Sequence, residues 1–190
     1  SSDVCSSDLK NISLDEKALR TYFHQLLAAL EYMHSRRIAH LDIKLDNLAL
    51  DEDFKLKVID FDTCHLESQD VLIGRGTPDS RAPELVDGVL KDPRNADIFS
   101  AGIVLFALKY GFFPYSENPK DKEGFIMYRL LEMKPKEFWE NIKEACDITE
   151  DSSSEDIEFI DLCRKMIAFR PEDRASIEEI KQSKWYQGPT

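Results

Sequence analysis

His40-Leu41-Asp42-Ile43-Lys44-Leu45-Asp46-Asn47, HLDIKLDN, places a carboxylate, an ammonium and a carboxamide within six residues. An apolar-periodic segment precedes it and a short apolar run follows. Two questions follow from the order of these groups. One is what chemistry asks for an Asp, a Lys two positions on and an Asn three beyond that. The other is why a Leu stands between the His and the Asp.

Upstream, Ser13 and Glu16 read as a capping box, S-L-D-E. Leu19, Phe23, Leu26, Leu27, Leu30 and Met33 then recur at helical spacing, which predicts a helix ending near Ser35. Ile38-Ala39 is a short extended piece, and the polar octet is a loop. Leu48 to Leu50 and Leu56 to Ile59 read as two strands joined by the turn Asp51-Glu52-Asp53. From Asp60 to about Asp92 regular pattern is weak, with Gly74, Gly76, Pro78 and Pro83 as breakers. Helices are expected over Asp97–Tyr110, Phe125–Met133, Phe138–Ala145, Glu155–Ala168 and Ile177–Lys184. The acidic run EDSSSED, Glu150 to Asp156, is a solvated loop or a phosphorylation target. The fold class is therefore mainly α, a helical bundle around a buried central helix, with a small β-ribbon carrying the polar loop.

The chain's 190 residues suffice for one domain with a real core. The net charge of −12 argues against nucleic acid and anionic membrane as main partners, since both need a basic face. That charge serves solubility, and it would also attract a basic peptide. The most apolar segment, IFSAGIVLFALKYGFF from Ile98 to Phe113, is short for a membrane span and holds Ser100 and Lys109. Cys5, Cys64, Cys146 and Cys163 form no close pair, so no zinc cluster or redox motif is suggested. A reducing compartment is the simplest inference, and the expected location is intracellular, in the cytoplasm. The first nine residues, SSDVCSSDL, repeat SSD without periodicity and look like a translated sequencing adapter. They are set apart from the folded unit, 10–190.

Three features line up in order. HLDIKLDN resembles the protein-kinase catalytic loop H-R-D-L-x-x-x-N. Asp60-Phe61-Asp62 resembles the D-F-G metal motif, and Ala82-Pro83-Glu84 matches A-P-E. Asp60 stands thirteen positions after Asn47, and Glu84 twenty-four after Asp60. The resemblance covers about residues 10 to 187 and is to the C-terminal lobe of a eukaryotic protein kinase. The residue types suit phosphoryl transfer, which asks for alignment and charge neutralisation more than covalent chemistry.

By this resemblance Asp42 orients the attacking hydroxyl and Lys44 balances charge on the transferred phosphoryl group of ATP. Asn47 and Asp60 hold Mg2+, Ala49 lies under the adenine, and Asp46 meets basic residues upstream of the target Ser or Thr. Lys44, with Thr77 of Gly76-Thr77-Pro78 contacting both Asp42 and Lys44, points to Ser/Thr rather than Tyr specificity. Structural roles are implied as well. Glu84 and Arg174 form a buried ion pair, Asp97 opens the central helix and accepts hydrogen bonds from the loop backbone, and His40 stacks on Phe61. Ile157 to Met166, Arg170-Pro171, Arg174 and Trp185 resemble the calcium/calmodulin-dependent and AMP-activated kinases.

Several positions depart from that pattern. Leu41 replaces the Arg that pairs with an activation-loop phosphate, so phosphorylation at Thr63, Ser68, Thr77 or Ser80 is expected to matter little unless Arg75 or Arg81 takes over. Asp62 replaces the flexible Gly of D-F-G. Ala49 replaces a larger aliphatic, Ser80 a Tyr and Phe99 a Trp. No glycine-rich loop, strand Lys or partner Glu is found in the 190 residues. The smaller lobe is expected in the parent protein, and these residues alone are expected to phosphorylate no peptide. A non-catalytic pseudokinase scaffold is the rival reading.

Overall fold

The computed structural model describes residues 14–66, 76–87 and 92–190. Expectations for the first nine residues, Ser13, Ser68 and Arg75 fall outside that range. The described chain is mainly helical, with seven α-helices, two 3-10 turns and four short strands.

Helix α1 (Glu16–Ser35) buries the apolar stripe read from its period, Leu19 through Met33. Its cap is Asp15, whose side chain accepts the Ala18 N–H at 2.7 Å. With Asp15 as the cap, Glu16 is the first residue of the helix and not its third, so the described residues do not start this helix on the S-L-D-E pattern, whose Ser13 lies outside them. Lys109 Nζ lies 2.8 Å from Glu16 Oε2, and Trp185 Nε1 donates to Oε1, so both oxygens of Glu16 are taken by distant partners.

Strand β1 (Ile38–Ala39) leads into the octet, which ends in a 3-10 turn at Leu45–Asn47. β2 (Leu48–Leu50) and β3 (Leu56–Val58) form an antiparallel ribbon pairing Leu48 with Val58 and Leu50 with Leu56. Asp51 Oδ1 accepts the N–H groups of Asp53 and Lys55, at 3.0 and 2.9 Å, which closes the turn. The stretch expected to be irregular contains β4 (His65–Leu66) and α2 (Pro83–Asp87). β4 pairs antiparallel with β1, so a second two-stranded sheet flanks the octet. Two-residue strands have no readable alternation, and only their pairing defines them.

The remaining helices are α3 (Arg94–Tyr110), α4 (Lys122–Met133), α5 (Pro135–Ala145), α6 (Ser154–Met166) and α7 (Ile177–Lys181). Helices α3, α4 and α5 each begin three residues before the apolar pattern suggested. Their first turns are polar or carry Pro135, so the hydrophobic period gives no start signal there; the Asp121 side chain caps α4, while the N-cap residues of α3 and α5, Pro93 and Lys134, make no side-chain cap bond. Asp97 thus lies in the first turn of α3 rather than opening it. The last helix stops at Lys181, ahead of the expected Lys184.

α3 is the centre of the molecule. Every residue from Ala96 to Ala107 is buried, and both α1 and α6 pack on it. Each large apolar side chain in that interior contributes about 1.5–3 kcal/mol of transfer free energy. Gly102 permits the close approach of the C-terminal end of α6, since a Cβ there would stand 2.8 Å from Met166 Cβ. No helix among the described residues is long and apolar enough to cross a membrane.

Candidate active site

The octet is fastened to α3 through one buried carboxylate. Asp97 is 0% exposed. Its Oδ2 accepts the His40 N–H at 2.9 Å and its Oδ1 the Leu41 N–H at 2.8 Å. His34 Nε2 lies 2.8 Å from the same Oδ2. Leu41 takes a left-handed φ of 65° and is buried, with its side chain in the core. That answers the question of the intervening Leu in physical terms, because the position holds an apolar anchor here.

Three side chains then converge. Lys44 Nζ lies 2.7 Å from Asp42 Oδ2. Thr77 Oγ1 donates to Asp42 Oδ1 at 2.8 Å and accepts from Lys44 Nζ at 2.9 Å. Asn47 Nδ2 donates to the Asp42 carbonyl at 2.8 Å and to Oδ2 at 3.1 Å. Burial works to raise the Asp42 pKa, but the hydrogen bonds from Lys44, Thr77 and Asn47 and the Lys44 charge outweigh it. The carboxyl is therefore held below its ordinary range. Asp42 stays an anion, oriented on both oxygens.

His40 uses both ring nitrogens on the backbone. Nε2 donates to the Ile59 carbonyl at 3.1 Å and Nδ1 accepts from the Asp42 N–H at 3.3 Å. It is a satisfied core histidine that holds the loop. Its contact with Phe61 is tilted, with ring centroids 5.3 Å apart at 56°, rather than the stacking expected. Phe61 itself is 55% exposed.

Asn47 and Asp60 are brought together by the ribbon. The Ile59 N–H donates to the Asn47 carbonyl at 2.9 Å, which sets the residue before Asp60 beside Asn47. Asp60 has a φ of 64° and an exposed side chain, with the Asp62 N–H reaching its Oδ1 at 3.4 Å. Ala49 sits in mid-β2 opposite Lys57. Asp46 lines a groove of about 610 Å³ with Lys44, Thr77, Asp79, Phe112 and Phe113.

The segment bearing Thr77 is held from the other side. Ser100 Oγ donates to the Ser80 carbonyl at 2.8 Å, and Ser80 is 3% exposed. Ser80 is therefore closed to modification in this arrangement. Arg81 Nη2 lies 2.6 Å from Glu117 Oε2, so Arg81 is committed to a protein carboxylate rather than to a phosphate. Arg174 Nη1 and Nη2 meet Glu84 Oε1 and Oε2 at 2.5 and 2.7 Å. Arg174 also donates to the carbonyls of Asn95, Ala168 and Phe169, and its guanidinium lies 4.7 Å over the Phe99 ring. Phe99 is thus the floor of that ion pair. The Arg81–Glu117 pair spans thirty-six positions, and no short-range pattern in the sequence announces it.

The family model described as protein kinase domain matches residues 2–186. The chain belongs to the protein kinase family. It is 35% identical over 189 residues to CBL-interacting protein kinase 11 of Oryza sativa subsp. japonica, covering 95% of this chain and 34% of that protein. It is 35% identical over 186 residues to CBL-interacting serine/threonine-protein kinase 16 of Arabidopsis thaliana, with 92% and 36% covered. Against serine/threonine-protein kinase kin-29 of Caenorhabditis briggsae the identity is 30% over 173 residues, with 90% and 19% covered. The chain thus spans about a third, or less, of the length of these relatives. The similarity lies with serine/threonine kinases of the calcium/calmodulin-dependent and AMP-activated kinase-like group.

Kinases of this family use ATP and Mg2+, and the donor chemistry present fits the ion. Mg2+ takes hard oxygen ligands and is held by one or two carboxylates together with waters and phosphate oxygens. The Asp60 carboxylate and the Asn47 amide, whose nitrogen is already spent on Asp42, leave oxygen donors of that kind.

Two expected results test this arrangement. Gly76 has a φ of 89°, and a Cβ there would stand 2.8 Å from the Leu41 carbonyl oxygen. Gly76→Ala should therefore destabilise the chain by about 1–3 kcal/mol, read by urea denaturation. In the complete kinase, Thr77→Val should lower kcat about 10- to 100-fold, since a hydrogen bond to a charged group is lost on both sides. Thr77→Ser should keep most of the rate in the same steady-state assay.

Proposed function

We propose that this chain is the larger, helical lobe of a Ser/Thr protein kinase that in full-length form transfers the γ-phosphoryl group of ATP to protein Ser or Thr hydroxyls. The single observation that carries this reading is the closed triangle of Asp42, Lys44 and Thr77. Asp42 is an ionised, doubly oriented acceptor suited to align an incoming hydroxyl and take its hydrogen bond. Lys44 sits where negative charge on the transferred group would be met by an ammonium. Thr77 ties the two to the segment on which a peptide would lie. Asn47 and Asp60 would hold Mg2+, which when bound neutralises charge on the phosphates.

The groove beside this triangle carries the carboxylates of Asp46 and Asp79. Opposite charges across such a groove select partners more than they add raw affinity. Peptides with Arg or Lys N-terminal to the target residue are the expected substrates. A peptide array with the full-length protein, wild type against Asp46→Ala, tests both levels. Phosphate incorporation into Ser/Thr peptides supports the kinase reading, and loss of the basic preference in Asp46→Ala assigns it to Asp46. A preference that survives the substitution removes Asp46 from that role.

A second reading, a pseudokinase scaffold, is favoured by Asp62 in place of the D-F-G Gly, by Ala49 in place of a larger aliphatic, and by Asp60, whose exposed side chain is met by the Asp62 N–H at 3.4 Å. A wild-type protein that labels no peptide on the array, while remaining folded, would select that reading.

A further inference from the structure

The residue triangle is held by a segment, Gly76 to Arg81, and the question is what holds the segment. The Arg81 N–H donates to the Thr77 carbonyl at 2.8 Å, beside the Ser80 N–H at 3.0 Å. The Arg81 side chain covers Gly76, with its Cγ and Cβ 3.5 and 3.6 Å from where a Gly76 Cβ would stand. Its guanidinium then ends on Glu117, in the connection between α3 and α4, with side-chain exposures of only 16% and 10%. Tyr115 adds a hydroxyl bond of 3.3 Å to the Arg81 carbonyl. Backbone, stem and charge of one residue are therefore all engaged, and its N–H bonds directly to Thr77 while its stem covers the neighbouring Gly76.

We infer that the Arg81–Glu117 ion pair is a positioning device for the phosphoryl-transfer site. This inference rests on the kinase reading given above. Arg81 acts through Thr77, whose hydroxyl must stay within hydrogen-bond reach of Asp42 and Lys44, at 2.8 and 2.9 Å. A largely buried pair is suited to this work because, if either partner swings into water, the other is left buried with its charge unpaired. The charge that orders the segment is built into the chain, so the segment needs no added phosphate to be ordered.

The test uses the full-length protein with Arg81→Met, Arg81→Lys and Glu117→Gln. Because Arg81 meets Glu117 through a single nitrogen, a Lys ammonium can replace that contact. Arg81→Met and Glu117→Gln should lower kcat on a Ser/Thr peptide by about 10- to 100-fold, the effect of an ångström-scale misplacement, with KM for ATP held within about twofold. Arg81→Lys should recover most of that loss. Hydrogen exchange on the same proteins should show the Arg81 amide losing protection in Glu117→Gln while amides of α3 keep theirs. An unchanged kcat in both Arg81→Met and Glu117→Gln would overturn the inference, as would a kcat loss that Arg81→Lys does not relieve. If the wild type transfers no phosphoryl group, the kinase reading fails by itself. The exchange measurement then still decides the pair, and unchanged protection at Arg81 in Glu117→Gln sinks it.

Discussion

Asp42→Asn is expected to lower phosphoryl transfer by the complete kinase by about 10²- to 10⁴-fold, the range for loss of a positioned acid–base group. The substitution keeps the size of the side chain and its place in the loop. It removes the charge that Lys44 meets at 2.7 Å and half of the acceptor capacity that Thr77 and Asn47 use. The fold should survive, because the loop is anchored by Asp97 on the backbone of His40 and Leu41 and not by Asp42. Nucleotide affinity should therefore change little while kcat falls. The pH dependence follows from the lowered pKa. A depressed carboxylate contributes stability that is present above its unfolded pKa, about 3.9, and lost as pH falls through the lower folded value. Asp42 is thus fully ionised across the physiological range, and any acid limb in the rate above about pH 4 must come from another group. Steady-state kinetics from pH 5 to 9, wild type against Asp42→Asn, measures both points. An Asp42→Asn rate within tenfold of wild type would remove Asp42 from the reaction.

Arg174→Met should destabilise the fold by about 3–5 kcal/mol, the cost of leaving one partner of a buried ion pair uncompensated. The loss exceeds one bond. It strands the Glu84 carboxylate and also the carbonyls of Asn95, Ala168 and Phe169, which all accept from the same guanidinium. Glu84→Gln should cost less, about 1–3 kcal/mol, because the Arg174 cation keeps those three carbonyls and the Phe99 ring. This ordering is the informative part. Urea denaturation followed by circular dichroism on the 190-residue chain measures it. A Glu84→Gln loss equal to or larger than the Arg174→Met loss would show that the carboxylate, not the guanidinium, organises the junction.

The sequence by itself determined what is local or repeats with a period. The α1 stripe at helical spacing, the buried run of α3 and the β2–β3 ribbon were all legible, since side-chain direction follows directly from backbone repeat. The ordered motifs identified Asp42, Lys44, Asn47 and Asp60 through resemblance, because their spacing along the chain is itself the signal. α3, α4 and α5 start three residues ahead of the apolar pattern, where the first turns are polar or carry Pro135. α1 starts at the Asp15 cap, and Glu16 turns to Lys109 and Trp185, partners that no local rule contains.

Only the tertiary structure decided which charges meet outside the motifs. Arg81 finds Glu117 thirty-six positions away and Lys109 finds Glu16 ninety-three away, whereas the Glu84–Arg174 pair and the Asp97 bonds to the backbone of His40 and Leu41 were implied by the family resemblance and are present in the structure. The β1–β4 pairing and the tilt of Phe61 against His40 are of the same kind. The reason is physical. A buried charge is tolerable wherever the fold brings a partner within about 3 Å, and that coincidence depends on how helices pack, not on the residues next to it in the chain.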